Sequence, residues 1–296
     1  MPAADPFAIT EPRPSTGFRR VLVALDSATA SGATLEIAAA IAAVSACELS
    51  GLFVEDQDLL RLAGLPFARE IQLARAMSRA LVPEQLLQDL RTQAALARTA
   101  MARQAERHRI AWSFKVAQGR SEEAILLAAT AGDIIVIARS FGPLAQVGHL
   151  SRRLRLIALR APGPILLTGE PPAGRPGPIL LPYDASPPAE RMLKLAGDLA
   201  RLRGQPLEIL LLDAAADHTA ELEAHILATG AATALPGLRI WTPQHRATAL
   251  RRLCEADRGL LVLAADAPCF SVGQVEQIIE RVRLPLLLQT NDSLGG

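Results

Sequence analysis

The sequence predicts an α/β protein made of two tandem, doubly wound parallel-sheet domains, each with strand order 3-2-1-4-5. Three observations predict it. First, a half-sheet is written twice: Val21-Leu22-Val23-Ala24-Leu25-Asp26 recurs as Ile179-Leu180-Leu181-Pro182-Tyr183-Asp184, and the segment from Leu49 recurs from Leu207, both 158 positions on (184 − 26 and 207 − 49). A fixed register across two strands and the helix between them signals a duplicated unit. Second, short continuous apolar runs alternate with segments of helical periodicity, the pattern of strands buried on both faces by crossover helices. Third, the stretch 169–177 reads Gly-Glu-Pro-Pro-Ala-Gly-Arg-Pro-Gly, a linker.

The first copy (18–168) opens with a strand at 21–25, followed by a helix over 31–46 with Leu35, Ala38, Ile41 and Ala42 at helical spacing, and a strand at 49–54. A long insert occupies 57–109. Pro83 marks a helix start within it, and Leu86, Leu87, Leu90, Ala94, Ala97 and Met101 trace one apolar face. The third strand is 112–116. Ser121 is placed to cap the next helix, with Glu122 and Glu123 in its first turn. Strand four is 134–137, a short helix follows at 151–160, and strand five is 165–167. The second, shorter copy (178–291) repeats the plan: strand 178–183, helix 187–203, strand 207–212, helix 219–229, strand 238–241, helix 248–257, strand 260–264 and strand 286–289. Ser186-Pro187 is a cap followed by proline at the first helical position, and Gly204 ends that helix. Ser121 to Thr248 and Gly132 to Gly259 both span 127 positions, so copy two lacks about 31 residues of the insert (158 − 127).

Composition narrows the function. With 31 basic and 30 acidic residues the chain carries net +1, which makes no case for nucleic acid or a membrane surface as partner. Lys115 and Lys194 are the only lysines, which fits codon bias in a GC-rich bacterial genome. Three scattered cysteines without a C-x-x-C predict a reducing compartment and no disulfide frame. No apolar run is long enough to cross a bilayer. Residues 1–17, with four prolines, read as a disordered tail, and the protein as soluble and cytoplasmic.

In a doubly wound sheet, ligands bind at the carboxyl ends of the strands where strand order reverses, here between strands one and four. The loops to watch are 26–29 with 138–141, and 184–186 with 265–267. The strand-then-acid openings ending in Asp26-Ser27 and Asp184-Ala185, the approach Gly119…Gly132-Asp133-Ile134-Ile135-Val136-Ile137, and the proline-entered Ala161-Pro162-Gly163-Pro164-Ile165-Leu166-Leu167 together resemble the universal stress protein family in tandem form. The resemblance covers 19–291. It implies a stress-linked role, and in ATP-binding members a G-x2-G-x9-G-[ST] loop after strand four, whose glycines let the backbone approach the phosphates. Here those positions are Ala138, Phe141, Ser151 and Arg152, so every glycine is replaced. In copy two Ala265 is followed by Asp266, Pro268, Cys269 and Phe270, and Asp184 and Asp266 are expected to converge on one crevice, where two carboxylates repel a polyphosphate unless a divalent cation intervenes. Copy one keeps Asp26, which the resemblance places beside a nucleoside, with Ser27, Ala138, Arg139, Ser140, Ser151, Arg152 and Arg153 around it as the candidate cofactor-binding set. Arginine can hold a phosphate by side chain where backbone once did.

Other constellations carry less. His218, Glu221 and His225 share a helix, but a rise of about 10.5 Å over seven residues keeps both histidines off one zinc ion. They read as a solvated face, and no metal site is expected. Ser27 and Ser140 lack a neighbouring base, which argues against a nucleophilic enzyme. The segment 59–71, rich in leucine and unique to copy one, reads as a lid helix on its own domain or an apolar edge for a partner. The expected function is a non-catalytic regulatory or stress-response binding protein without a standard ATP cofactor. Its two domains pair within one chain as an intramolecular pseudo-dimer, with homodimerisation open and a protein or small molecule as partner. The alternative is an ATP- or AMP-binding switch in the copy-one crevice.

Overall fold

The structure is a computed structural model and describes residues 18–25, 32–67, 69–72, 77–138, 156–157, 160–169, 177–212, 216–229, 235, 237–242 and 246–289. Half one contains β1 (Arg20–Leu25), α1 (Gly32–Val44), β2 (Glu48–Asp56), α2 (Gln57–Ala63), β3 (Arg69–Gln72), β4 (Met77–Ala80), α3 (Pro83–His108), β5 (Trp112–Gly119), α4 (Ser121–Ala128), β6 (Asp133–Ala138) and β7 (Ile165–Thr168). Half two contains β8 (Ile179–Tyr183), α5 (Pro187–Arg203), β9 (Leu207–Leu211), α6 (Ala216–Ala228), β10 (Leu238–Trp241), α7 (Arg246–Glu255), β11 (Leu260–Ala264), α8 (Val272–Arg281) and β12 (Leu286–Gln289).

Ten strands form one sheet in the order β10-β9-β8-β11-β12-β7-β6-β1-β2-β5. Each half is therefore wound 3-2-1-4-5, as the sequence predicts. Within this ten-stranded sheet all pairings inside a half are parallel, and the fifth strands β7 and β12 join antiparallel through Leu167–Leu286, Leu166–Leu287 and Ile165–Leu288. The central strands are buried along their whole length because helices cover both faces, which is why they read as unbroken apolar runs. The first helices α1 and α5 also pack against each other across the junction.

Several local expectations hold. Ser186 Oγ accepts from Ala189 N (3.4 Å) as the cap of α5, and Gly204 ends that helix at φ 62°, where a side chain would be strained. α3 begins at Pro83 and buries Leu90, Ala94, Ala97 and Met101, with Ala105 continuing the stripe, while Leu86 and Leu87 are only half-buried.

Others need correction. Ser121 does not cap α4: it is the first helical residue, and its hydroxyl donates to Asp56 Oδ2 (3.1 Å) at the end of β2. The helix α8 is additional to the elements expected from the sequence, and Ser271 and Gln274 make a reciprocal capping box at its start. The insert 57–109 is also not helical throughout, since the antiparallel β3–β4 hairpin stands between α2 and α3. Residues 1–17 and the linker positions 170–176 lie outside the described residues, as does most of the predicted helix 151–160.

At the amino ends of the strands the halves are closed differently. In half one the Arg20 guanidinium makes a two-pronged ion pair with Asp133, which is 2% exposed, and also donates to Ala128 O (2.8 Å). Asp133 in turn accepts from Thr130 N (2.9 Å). The 127-residue offset puts Leu260 in that place in half two, paired with Ile179. Just before it, Gly259 has φ 119° and a Cβ there would stand 2.0 Å from Pro178 O, whereas a Cβ on Gly132 would meet only the Arg19 side chain, at 3.2 Å.

Candidate functional site

The two strand-order reversals lie between β1 and β6 and between β8 and β11, neighbours in both cases. Because β7 and β12 run antiparallel, the two crevices open at opposite ends of the shared sheet.

In half one, Ala138 is the last residue of β6, 5% exposed and paired with Thr168. Asp26, Ser27, Arg139, Ser140, Ser151, Arg152 and Arg153 lie outside the described residues. What is described is the rim. On one side Thr34, in the first turn of α1, shares a buried hydroxyl–hydroxyl bond with Thr168 at the end of β7 (2.9 Å). On the other side the end of β2, paired with β5, carries two buried acids: Glu55 accepts from Gln118 Nε2 (2.8 Å), and Asp56 accepts from Asp58 N (2.9 Å) and the Ser121 hydroxyl. Arg120 lies over this rim, 3.5 Å from Asp58 and 3.4 Å from Glu123. Its guanidinium is held more firmly protonated by Asp58 first, then Glu122 and Glu123.

In half two both loops of the crevice, 184–186 and 265–270, are described. Asp184 Oδ1 accepts from Ser186 N (3.0 Å) and Oδ2 from Cys269 N (3.4 Å). The chain leaving β11 folds back in tight turns, with Ala267 N donating to Ala264 O (3.3 Å) and Phe270 N to Ala267 O (2.9 Å). That brings Ala267, Cys269 and Phe270 into buried positions. Asp266 lies in the same crevice, and both its oxygens are shut off from solvent without a hydrogen-bond partner. Burial pushes its carboxyl up from the ordinary range, and the nearby Asp184 charge adds to this; its own backbone N–H and Arg191 work against the rise. Arg191 is engaged elsewhere: its Nε and Nη2 donate to the Gln289 side-chain oxygen at 3.1 and 2.9 Å, with that amide turned toward the guanidinium.

A second group here lies beyond the sequence-predicted set. The buried Tyr183 hydroxyl donates to Glu190 Oε1, in the first turn of α5, and His225 Nε2 on α6 meets the same oxygen at 2.7 Å. A carboxylate only accepts, so this contact is a hydrogen bond in the imidazole form that carries a proton on Nε2. Burial, then Glu190, push the Tyr183 hydroxyl above its usual range, so it acts as a donor and not as an acid. The sequence places His225 on a solvated face; it is exposed, yet it ties α6 to the crevice. The available signal is that the chain's one tyrosine closes the first strand of half two, seven positions before a glutamate. Among the described residues no three metal-ligating side chains come together.

The leucine-rich segment 59–71 resolves into most of α2, a turn and the start of β3, with Leu62, Leu65 and Phe67 exposed. No helix among the described residues is long and apolar enough to cross a membrane.

No family model and no curated protein matches the chain. Solved structures do. A universal stress protein from Archaeoglobus fulgidus superposes with a TM-score of 0.56 at 17% identity, covering 90% of this chain and 97% of that one. A functionally unknown protein from Pseudomonas aeruginosa PAO1 matches with a TM-score of 0.56 at 16% identity, over 94% of this chain and 95% of its own. The cytoplasmic domain of a prokaryotic cation chloride cotransporter matches at 0.51 and 13%, over 94% and 99%. At these identities the likeness is one of fold, and the fold is that of the universal stress proteins.

Proposed function

We propose that the chain is a non-catalytic regulatory binding protein of the universal stress protein kind, with half one as its ligand-binding half. The observation that carries this reading is the state of the other crevice. The Asp184 carboxylate takes up the backbone N–H groups of Ser186 and Cys269, and Ala267, Cys269 and Phe270 fill the space beside them. Backbone donors in such a loop are what a phosphate would need. With a carboxylate on them, half two is unsuited to a standard ATP, which leaves recognition to half one and to a small molecule or protein partner. The name of the Archaeoglobus protein supports a stress-linked role.

A second reading, an ATP- or AMP-binding switch in half one, is favoured by Ala138: a small side chain closes β6 there, ahead of Arg139, Arg152 and Arg153 in the sequence. A thermal-shift series with ATP and AMP plus Mg²⁺ separates the two. Saturation to 100 times Kd would stabilise the fold by about 2.7 kcal/mol. The first reading expects no shift up to millimolar nucleotide. A saturable shift abolished by Arg139→Ala with Arg152→Ala would replace it with the second.

A further inference from the structure

We propose that the half-two crevice is a proton-operated gate: Asp266, as the neutral acid, keeps the turn 265–270 folded over the ends of β8 and β11, and ionisation of that acid opens the turn. The geometry comes first. Both Asp266 oxygens are sealed from water without a hydrogen-bond partner, a placement a neutral carboxyl tolerates and a carboxylate does not. The charged groups acting on it are Asp184, from the end of β8, and Arg191, from α5. Asp184 accepts two backbone N–H bonds, from Ser186 and from Cys269 in the turn itself. Arg191 is committed to Gln289. Ionised Asp266 would thus sit beside the Asp184 charge without a hydrogen bond from Arg191, whose charge still acts on it but whose Nε and Nη2 are bonded to Gln289.

The same turn holds what opening would release. Asp184 is tied to it through Cys269 N, and Ala267, Cys269 and Phe270 are its buried apolar lining. The direction follows from linkage. An acid whose proton is held more tightly in the folded crevice than in the unfolded chain stabilises the closed turn fully below the ordinary carboxylate range. That contribution is lost as pH rises through the elevated folded value. Alkalinisation opens the gate, and acid shuts it.

Cys269 is the natural reporter. Replacing the other two cysteines (Cys47→Ala and Cys254→Ala) leaves it as the single thiol of the full chain. Its rate of reaction with 4,4′-dithiodipyridine is measured across a pH series and divided, at each pH, by the rate of free glutathione. In the Asp266 protein the normalised rate should rise about tenfold per pH unit until the carboxyl is fully ionised. In Asp266→Asn it should be flat. Asp184→Asn, which removes the like charge and keeps Asp266, should move the rise to lower pH, and this arm stands even where Asp266→Asn does not fold. A flat profile in the parent, an equal rise in Asp266→Asn, or an unmoved midpoint in Asp184→Asn would each overturn the gate.

Discussion

The two halves share one strand order and differ at nearly every polar position that matters. On β2, Ser50 meets the Ser113 hydroxyl at 3.1 Å; at the same place on β9 stands Glu208, with Arg252 at 2.9 Å and Arg239 at 3.5 Å, and Arg252 also lies 3.7 Å over the Trp241 ring. Where the first helix meets the end of strand five, half one uses a pair of threonines and half two uses Arg191 with Gln289. At the strands' amino ends the relation inverts: half one buries an ion pair and half two an apolar contact. What the two halves share is the apolar sheet and its strand order. Their polar fixings differ from half to half, so they report on local packing and stability.

Substitutions at paired positions test this contrast. The largest difference is expected at the equivalent glycines. Gly259→Ala forces a Cβ into the Pro178 carbonyl at φ 119° and should cost on the order of 3 kcal/mol or more, while Gly132→Ala, which displaces only the flexible Arg19 side chain, should cost less than about 1 kcal/mol. Urea midpoints read both; equal losses would mean the two strand entries are not distinct.

Next is the ion pair. Arg20→Leu alone strands the buried Asp133 carboxylate and should cost about 2–4 kcal/mol, whereas Arg20→Leu combined with Asp133→Leu, which makes this end apolar as it is in half two, should recover most of that loss. A double variant as unstable as the single one would show that the pair's hydrogen bonds, and not its charges, hold the end of the sheet.

Ser121→Ala should cost about 1 kcal/mol through the lost bond to Asp56. Were Ser121 a helix cap, substituting Asp at that position would be tolerated. With Asp56 opposite it, Ser121→Asp should be worse than Ser121→Ala, as thermal unfolding would show.

The smallest effect concerns Cys47, whose thiol burial pushes up to about 11. Its thiolate fraction at mildly alkaline pH should be roughly a hundredfold below that of an ordinary thiol, and alkylation correspondingly slow by mass spectrometry. In half two the buried Gln205 stands at that offset and donates to Gly177 O (2.7 Å), so no thiol is there to react.

The elements with a packing signal are legible in the sequence. Strands β1, β8, β11 and β12 lie within a residue of where their apolar runs put them, because burial on both faces demands an unbroken run. α8 escapes such a reading because it follows a turn containing Pro268 and its capping box is only two residues, Ser271 and Gln274. The edge strand β5 extends to Gly119, beyond the apolar stretch, because its register with β2 is set by backbone pairing up to Asp56, which hydrophobicity does not report. At the crevices the sequence correctly joins Asp184 with Asp266, since topology alone brings those loops together. It does not reveal that Asp184 bonds to Cys269 N, nor that Tyr183, Glu190 and His225 meet, because those contacts depend on how a turn and a third helix settle on the sheet.

The antiparallel seam between β7 and β12 is formed by two different sequences, Ile165–Thr168 against Leu286–Gln289. In an assembly of two identical chains, any substitution at one end of the sheet is repeated at the other by symmetry. Here the seam lies inside a single polypeptide, so a residue can change at one end alone. The two poles are thereby free to diverge, and the asymmetry is inherited in every molecule instead of being averaged away between subunits.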